Sequence, residues 1–136
     1  MIRPYIIQLL VDINGNHIIQ KFISLFPDNQ FVFDIILRNF NRIITDKHGC
    51  CVMQKCIEVA NPCYKEKIIN SVVENTEIYI SNQYANYVIQ YIITLDDHKI
   101  NRKITERFLP NIEQLIRHKF SSNVIEKVYL YIIKGV

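Results

Sequence analysis

One short pattern, repeated four times, fixes what this chain can fold into. It reads Asn16-His17-Ile18-Ile19-Gln20, Cys50-Cys51-Val52-Met53-Gln54, Asn86-Tyr87-Val88-Ile89-Gln90 and Ser122-Asn123-Val124-Ile125-Glu126, with last residues 34, 36 and 36 positions apart. A period in that range marks an array of like units, each too small to bury its own apolar face, stacked so that neighbours do it.

Helical geometry gives the pattern its meaning. At about 100° per residue, Asn16, His17, Gln20 and Lys21 share one side of a helix, while Ile18, Ile19, Phe22 and Ile23 make a continuous apolar stripe. The same partition holds for Val52, Met53, Cys56 and Ile57, for Val88, Ile89, Ile92 and Ile93, and for Val124, Ile125, Val128 and Tyr129. Four helices therefore bury one face each. Each presents a triplet on the other face: a polar or small residue, a flat or small residue, and an amide or carboxylate.

Around each cassette the spacing predicts a short helix before and a closing helix after. Residues 1–12 supply Pro4, Tyr5, Ile6, Ile7, Leu9, Leu10 and Val11, and the first cassette helix runs from about Gly15 to Leu25. Pro27-Asp28 opens its closing helix, since proline is tolerated in a first turn, with Phe31, Ile35 and Ile36 inward and an end near Arg38. The second unit carries Ile43 and Ile44, a cassette helix from Gly49, and a closing helix with Asn61 as N-cap, Pro62 at its first position, and Ile68, Ile69, Val72 and Val73 inside. The third has Ile78 and Ile80, a cassette helix from Ala85, and a closing helix begun by Asp96 or Asp97 that carries Ile100, Ile104 and Phe108. Past Pro110 the fourth has Ile112, Leu115, Ile116 and its cassette, with no room for a closing helix. Repeat arrays close with polar caps. Neither end reads as one, so the expectation is a piece of a longer array with apolar surface at both ends.

Before each cassette stands a small residue, Gly15, Gly49, Ala85 or Ser121. It either permits close approach of a neighbouring backbone or serves the turn itself.

Composition excludes several classes. The 136 residues are 49% hydrophobic, enough for one core, and only three glycines and no serine-rich tract argue against a linker or disordered tail. A net charge of +3 permits a nucleic-acid partner without requiring one. Cys50, Cys51, Cys56 and Cys63 lack a C-x-x-C pair, and Cys56 falls in an apolar stripe, so neither metal nor any cofactor is expected. Without a secretory signal or membrane-spanning run, the chain reads as cytoplasmic with reduced thiols. Asp96, Asp97 and His98 sit where a helix cap belongs, with no nucleophile patterned around them, so no catalysis is expected.

The triplets suit the edges of flat heteroaromatic bases. Glu126 is acceptor-only when ionised and fits the two adjacent N–H donors of guanine, whereas Gln20, Gln54 and Gln90 both donate and accept, which suits uracil or adenine. Asn16 and Asn86 add a second amide that favours uracil, and small Cys50 leaves space for a purine. His17 and Tyr87 have faces on which bases can stack, Asn123 offers a flat amide, and Cys51 offers least. Lys21, Lys55 and Lys127 follow their cassettes on the polar side and are candidates for phosphate contact, a series that Tyr91 breaks.

At this point the stretches Asn14–Lys21, Tyr84–Gln90 and Phe120–Lys127 resemble Pumilio (PUF) repeats, for which one base per repeat read by two or three side chains is the described mode. The resemblance covers essentially the whole chain, and the cassette order is similar to repeats four to seven of an eight-repeat domain. It implies an all-α, right-handed α-α superhelix, a Pumilio/armadillo-like solenoid of about four three-helix repeats at about residues 1–38, 39–74, 75–109 and 110–136, the last truncated. It further implies single-stranded RNA lying antiparallel on the concave face. Ser122 with Glu126 would select G, Asn86 with Gln90 U, Cys50 with Gln54 A, and Asn16 with Gln20 U, giving 5′-GUAU-3′ within a UGUA-type element of messenger 3′ untranslated regions. Repression or decay would follow through repressor or deadenylase-type proteins on the outer face, with no membrane partner. Cys51 departs from the family's usual larger stacking residue. A noncatalytic helical scaffold that binds protein, or RNA without sequence preference, is the rival reading.

Overall fold

The computed structural model of the chain describes residues 3–134, so the outermost positions of the first and last expected repeats, 1–2 and 135–136, lie outside the described residues, as do the side chains of residues 3 and 4. Among the described residues the regular elements are helical without exception: α1 (Arg3–Leu10), α2 (Gly15–Leu25), α3 (Gln30–Arg38), α4 (Phe40–Ile44), α5 (Gly49–Val59), α6 (Pro62–Glu74), α7 (Thr76–Tyr79), α8 (Ala85–Thr94), α9 (His98–Phe108), α10 (Ile112–Leu115) and α11 (Ser121–Lys134), with a 3₁₀ turn over Leu109–Asn111. The all-α repeat expectation therefore holds. None of these helices is long and apolar enough to cross a membrane.

The chain packs as two compact units, Met1–Asn70 and Ser71–Val136. In the first, α2 lies against α5, with α1 on α2 and α4 on α5; in the second, α8 lies against α11, and α7 packs on α8 and α9. The cassette helices are thus paired within each unit.

The apolar stripe is complete only in the middle two cassettes. Val52, Met53, Cys56 and Ile57, and likewise Val88, Ile89, Ile92 and Ile93, are at most 1% exposed. In α2 the first stripe position, Ile18, is instead 61% exposed, and in α11 the last, Tyr129, is also 61% exposed. Periodicity says which side of a helix is apolar; which edge of that side is covered depends on what packs beside it.

Two further expectations are corrected. Pro27-Asp28 forms a turn, and α3 begins after Asn29, whose side-chain oxygen accepts from the Val32 N–H at 3.0 Å. This cap places Val32, Phe33, Ile35 and Ile36 in the core and leaves Phe31 43% exposed. In α7, Ile78 is 63% exposed while Thr76 and Tyr79 are buried, the Thr76 hydroxyl donating to the Val73 carbonyl at 2.6 Å. Asn61 behaves as expected, its side chain accepting from the Tyr64 N–H at 3.0 Å ahead of Pro62.

The small residues are there for close approach, since neither Gly15 nor Gly49 has a positive φ. A Cβ on Gly15 would lie 2.8 Å from the Leu9 carbonyl oxygen, and one on Gly49 would meet the Ile43 carbonyl oxygen still closer. In the fourth cassette Ser121 turns the same approach into a hydrogen bond, its hydroxyl donating to the Leu115 carbonyl at 2.6 Å. Gly49→Ala is accordingly expected to destabilise the fold. Helix propensity favours alanine by about 1 kcal/mol, but forcing backbone apart costs about 1–3 kcal/mol. A net loss of about 1 kcal/mol is expected in urea denaturation. A stabilised variant would mean that the approach is looser than described.

Candidate nucleic-acid interface

Each cassette is seated by a residue four positions before its first member. Asp12 accepts from the N–H groups of Asn14 and Gly15 at 2.8 and 2.7 Å, Asp46 from His48 and Gly49 at 2.8 Å each, and Asn82 from Tyr84 and Ala85 at 2.9 Å each. In the fourth cassette His118 Nδ1 accepts from the Phe120 N–H at 3.2 Å. These groups take up N–H donors that a helix start leaves without partners. The Gly15 and Asn14 hydrogen bonds hold the Asp12 carboxyl below the usual carboxylate range. This seating row, Asp12, Asp46, Asn82 and His118, repeats at the cassette spacing and was missed in the sequence.

The first cassette position does not lie on the open polar side. Asn16, Cys50 and Asn86 are 2%, 4% and 0% exposed, and only Ser122 is half-buried. Side chains lean toward the helix N-terminus, and in a first turn that direction leads back over the carbonyls of the incoming chain. Asn16 Nδ2 accordingly donates to the Asp12 and Ile13 carbonyls at 2.7 and 2.9 Å, and Asn86 Nδ2 donates to the Asn82 carbonyl at 2.7 Å.

Burial of these two asparagines has a chemical consequence at the fifth position. A carbonyl only accepts, so the asparagine amide must turn its NH₂ toward it and its oxygen away. That oxygen accepts from the glutamine, Gln20 Nε2 to Asn16 Oδ1 at 3.0 Å and Gln90 Nε2 to Asn86 Oδ1 at 2.9 Å. Each glutamine is thereby oriented, with its Oε1 and its second Nε2 hydrogen left as an adjacent acceptor and donor. The two half-buried glutamines present the same edge.

The other two cassettes lack this relay. Cys50 Sγ donates to the Lys47 carbonyl at 3.2 Å, and no hydrogen bond among the described residues holds the half-buried Gln54. Burial first, then Cys51, pushes the Cys50 thiol up to about 12, so it stays neutral. The Ser122 hydroxyl donates to the Lys119 carbonyl at 3.1 Å, and Glu126 is exposed with no hydrogen bond among the described residues.

The middle residues His17, Cys51, Tyr87 and Asn123 are all exposed. Lys21 is exposed; Lys127 and Lys55 are half-buried, and Lys55 lies 3.5 Å from Glu58. In the first unit an open groove of ≈ 470 Å³ brings together His17, Gln20 and Lys21 of α2 with Lys55 of α5. In the second, Tyr87 and Gln90 stand on α8 and Asn123 and Glu126 on the adjoining α11. Among the described residues no three His, Cys, Asp or Glu side chains are grouped to hold a metal. Asp97 caps α9, accepting from Lys99 and Ile100 N–H at 3.0 and 3.2 Å.

Comparison with known proteins bears on this geometry. A family model described as a Pumilio-family RNA binding repeat matches residues 5–36, 39–73, 80–104 and 111–131. A Pumilio domain-containing protein of Schizosaccharomyces pombe is 36% identical over 96% of this chain, which spans 19% of that protein. The Pumilio homology domain family member 4 of Saccharomyces cerevisiae is 39% identical over 93% of the chain, which spans 15% of it. The solved Puf4 RNA binding domain bound to the HO endonuclease RNA 3′ UTR recognition sequence superposes with a TM-score of 0.85 at 36% identity, covering 98% of this chain and 46% of that one. PUF-8 in complex with PBE-RNA gives 0.81 at 34% identity, covering 93% and 38%.

Proposed function

This chain belongs to the Pumilio family of RNA-binding repeat proteins, and from that premise we propose that it binds single-stranded RNA through its four cassettes, one base to each. Its reading units are the repeats at about 1–38, 39–74, 75–109 and 110–136. In this reading Glu126 beside Ser122 takes G, Gln90 takes U, Gln54 beside Cys50 takes A and Gln20 takes U, so the core is 5′-GUAU-3′ within a UGUA-type element. Asn16 and Asn86 act on their bases mainly by holding Gln20 and Gln90, since their own amides are already engaged.

The observation that carries the reading is the matched Asn-to-Gln relay in two separate cassettes. A surface glutamine is ordinarily free to turn. A glutamine with one amide hydrogen tied down and an acceptor–donor pair facing out matches the complementary edge of uracil. Exposed Tyr87 and His17 beside these glutamines supply faces for stacking, and Lys21, Lys55 and Lys127 stand by as phosphate partners. The service performed is repression or decay of cytoplasmic messages carrying the element in their 3′ untranslated regions, through protein partners, without catalysis by this chain.

Four bases at about 1–3 kcal/mol each are set against an association cost of about 4–15 kcal/mol. Micromolar or weaker binding to a 5′-UGUAUAU-type RNA is expected in fluorescence anisotropy, with a scrambled RNA of the same composition binding more weakly still. Equal affinity for the two would remove base reading and leave a scaffold that binds nucleic acid or protein without sequence preference.

A further inference from the structure

The charge surplus of the chain sits on one helix. α9 (His98–Phe108) carries Lys99, Arg102, Lys103 and Arg107 against one acid, Glu106, a surplus equal to the +3 of the whole chain. The rest of the chain, the base-reading cassettes included, is therefore formally balanced. So are the other two closing helices: α3 sets Arg38 against Asp34, and α6 sets Lys65 and Lys67 against Glu66 and Glu74.

α9 buries Ile104 and Phe108 and leaves all four cations exposed. Lys99, Lys103 and Arg107 stand four apart, so at about 100° and about 1.5 Å per residue they form one row about 12 Å long, in steps of about 6 Å. Like charges at this spacing destabilise the helix that carries them. Arg107 lies 3.2 Å from Glu77 of α7, and its guanidinium has donors for a second carboxylate; Lys99, Arg102 and Lys103 form no ion pair among the described residues. A row that works against its own helix and belongs to no cassette points to a partner outside the chain.

The chemistry of the row narrows that partner. Single-strand binding combines cations with rings on which bases stack, and between Lys99 and Arg107 the helix has no aromatic residue. A phosphate chain, charged at every link, would also meet Glu106, which falls between Arg102 and Lys99 around the helix. Carboxylates four residues apart on a helix repeat at the same step of about 6 Å and can meet the cation row while missing Glu106.

We propose that the outward face of α9 is an interaction surface for an acidic helical segment of a partner protein, its carboxylates set against Lys99, Lys103 and Arg107. The inference is independent of the RNA reading.

The probe is an alanine-based helical peptide of about 16 residues with glutamate at every fourth position, and its control is the same peptide with glutamine there. Each is titrated at low salt into the isotope-labelled full chain and followed by two-dimensional NMR. The glutamate peptide is expected to give saturable shifts at the α9 backbone amides and the Arg107 Nε–H, and the glutamine peptide none. Lys99→Gln together with Lys103→Gln, both at exposed positions, should weaken the binding about fivefold or more while the free spectrum stays dispersed and binding of a 5′-UGUAUAU-type RNA is unchanged. No saturable shift, equal binding of the glutamine peptide, or equal binding to the double variant overturns the proposal. So does a loss of RNA affinity in the double variant, which would mean that the row serves RNA phosphates.

Discussion

Asn86→Asp is expected to lower the stability of the fold by about 3 kcal/mol at neutral pH and to restore most of that loss at about pH 4. Asn86 is fully buried, donates to the Asn82 carbonyl at 2.7 Å and accepts from Gln90 Nε2 at 2.9 Å. An ionised carboxylate keeps the second bond and turns the first into repulsion between two acceptors. Leaving a buried charge without compensation costs about 3–5 kcal/mol, and the N-terminus of α8 offsets about 0.3–1 kcal/mol of that. A protonated carboxyl restores the pattern, its O–H donating to Asn82 and its carbonyl accepting from Gln90. The variant's folded pKa is therefore raised above the unfolded value of about 3.9. Stability is nearly that of the parent below the unfolded pKa and falls as pH rises toward the folded one. Urea denaturation of parent and variant at the two pH values checks it. An equal deficit at both would mean that Asn86 does not donate to that carbonyl and that Gln90 is not oriented through it.

Much of this architecture was legible because it is periodic. The limits of α2, Gly15–Leu25, and the starts of α5 and α8 at Gly49 and Ala85 follow from the cassette spacing and the small residue before it. What escaped was set by neighbours or by local direction. Ile18 and Tyr129 occupy stripe positions yet are exposed, because periodicity gives the apolar side of a helix but not which edge of that side a neighbour covers. Pro27 suits a first helical turn but does not open one, because Asn29 two residues later supplies the capping oxygen. For Asn16 and Asn86 the angular projection treats a helix as a cylinder, whereas a first-turn side chain reaches back over the preceding carbonyls. The clue was present in the chain: Asp12, Asp46, Asn82 and His118 recur in step with the cassettes they seat.

Glu126→Gln is expected to abolish the preference for G at its own base and leave the other three unchanged, under the reading in which each cassette takes one base. The guanine edge offers two neighbouring N–H donors, which an ionised carboxylate accepts together and a neutral amide cannot, since its NH₂ would face a donor. Hydrogen bonds to charged groups contribute about 1.5–3 kcal/mol, so discrimination of G from the other bases should fall by about tenfold to a hundredfold. Affinity for RNAs carrying U or A at that base should hold or rise, because the neutral amide both donates and accepts and no longer sets a charge against their acceptors. The fold should not notice the change: Glu126 is exposed and makes no hydrogen bond or ion pair among the described residues, and such substitutions stay within about 0.5 kcal/mol. Anisotropy titrations against four RNAs differing only at that base, with urea denaturation alongside, separate the outcomes. Loss of preference at every base would indicate a damaged scaffold, and retention of the G preference would take Glu126 out of the reading row. Gln90 makes the internal contrast, because Asn86 fixes which end of its amide faces out, whereas Ser122 already donates to Lys119 and leaves the variant's amide free to turn. Glu126→Gln should for that reason relax the choice of base without acquiring the uracil preference of the oriented cassettes.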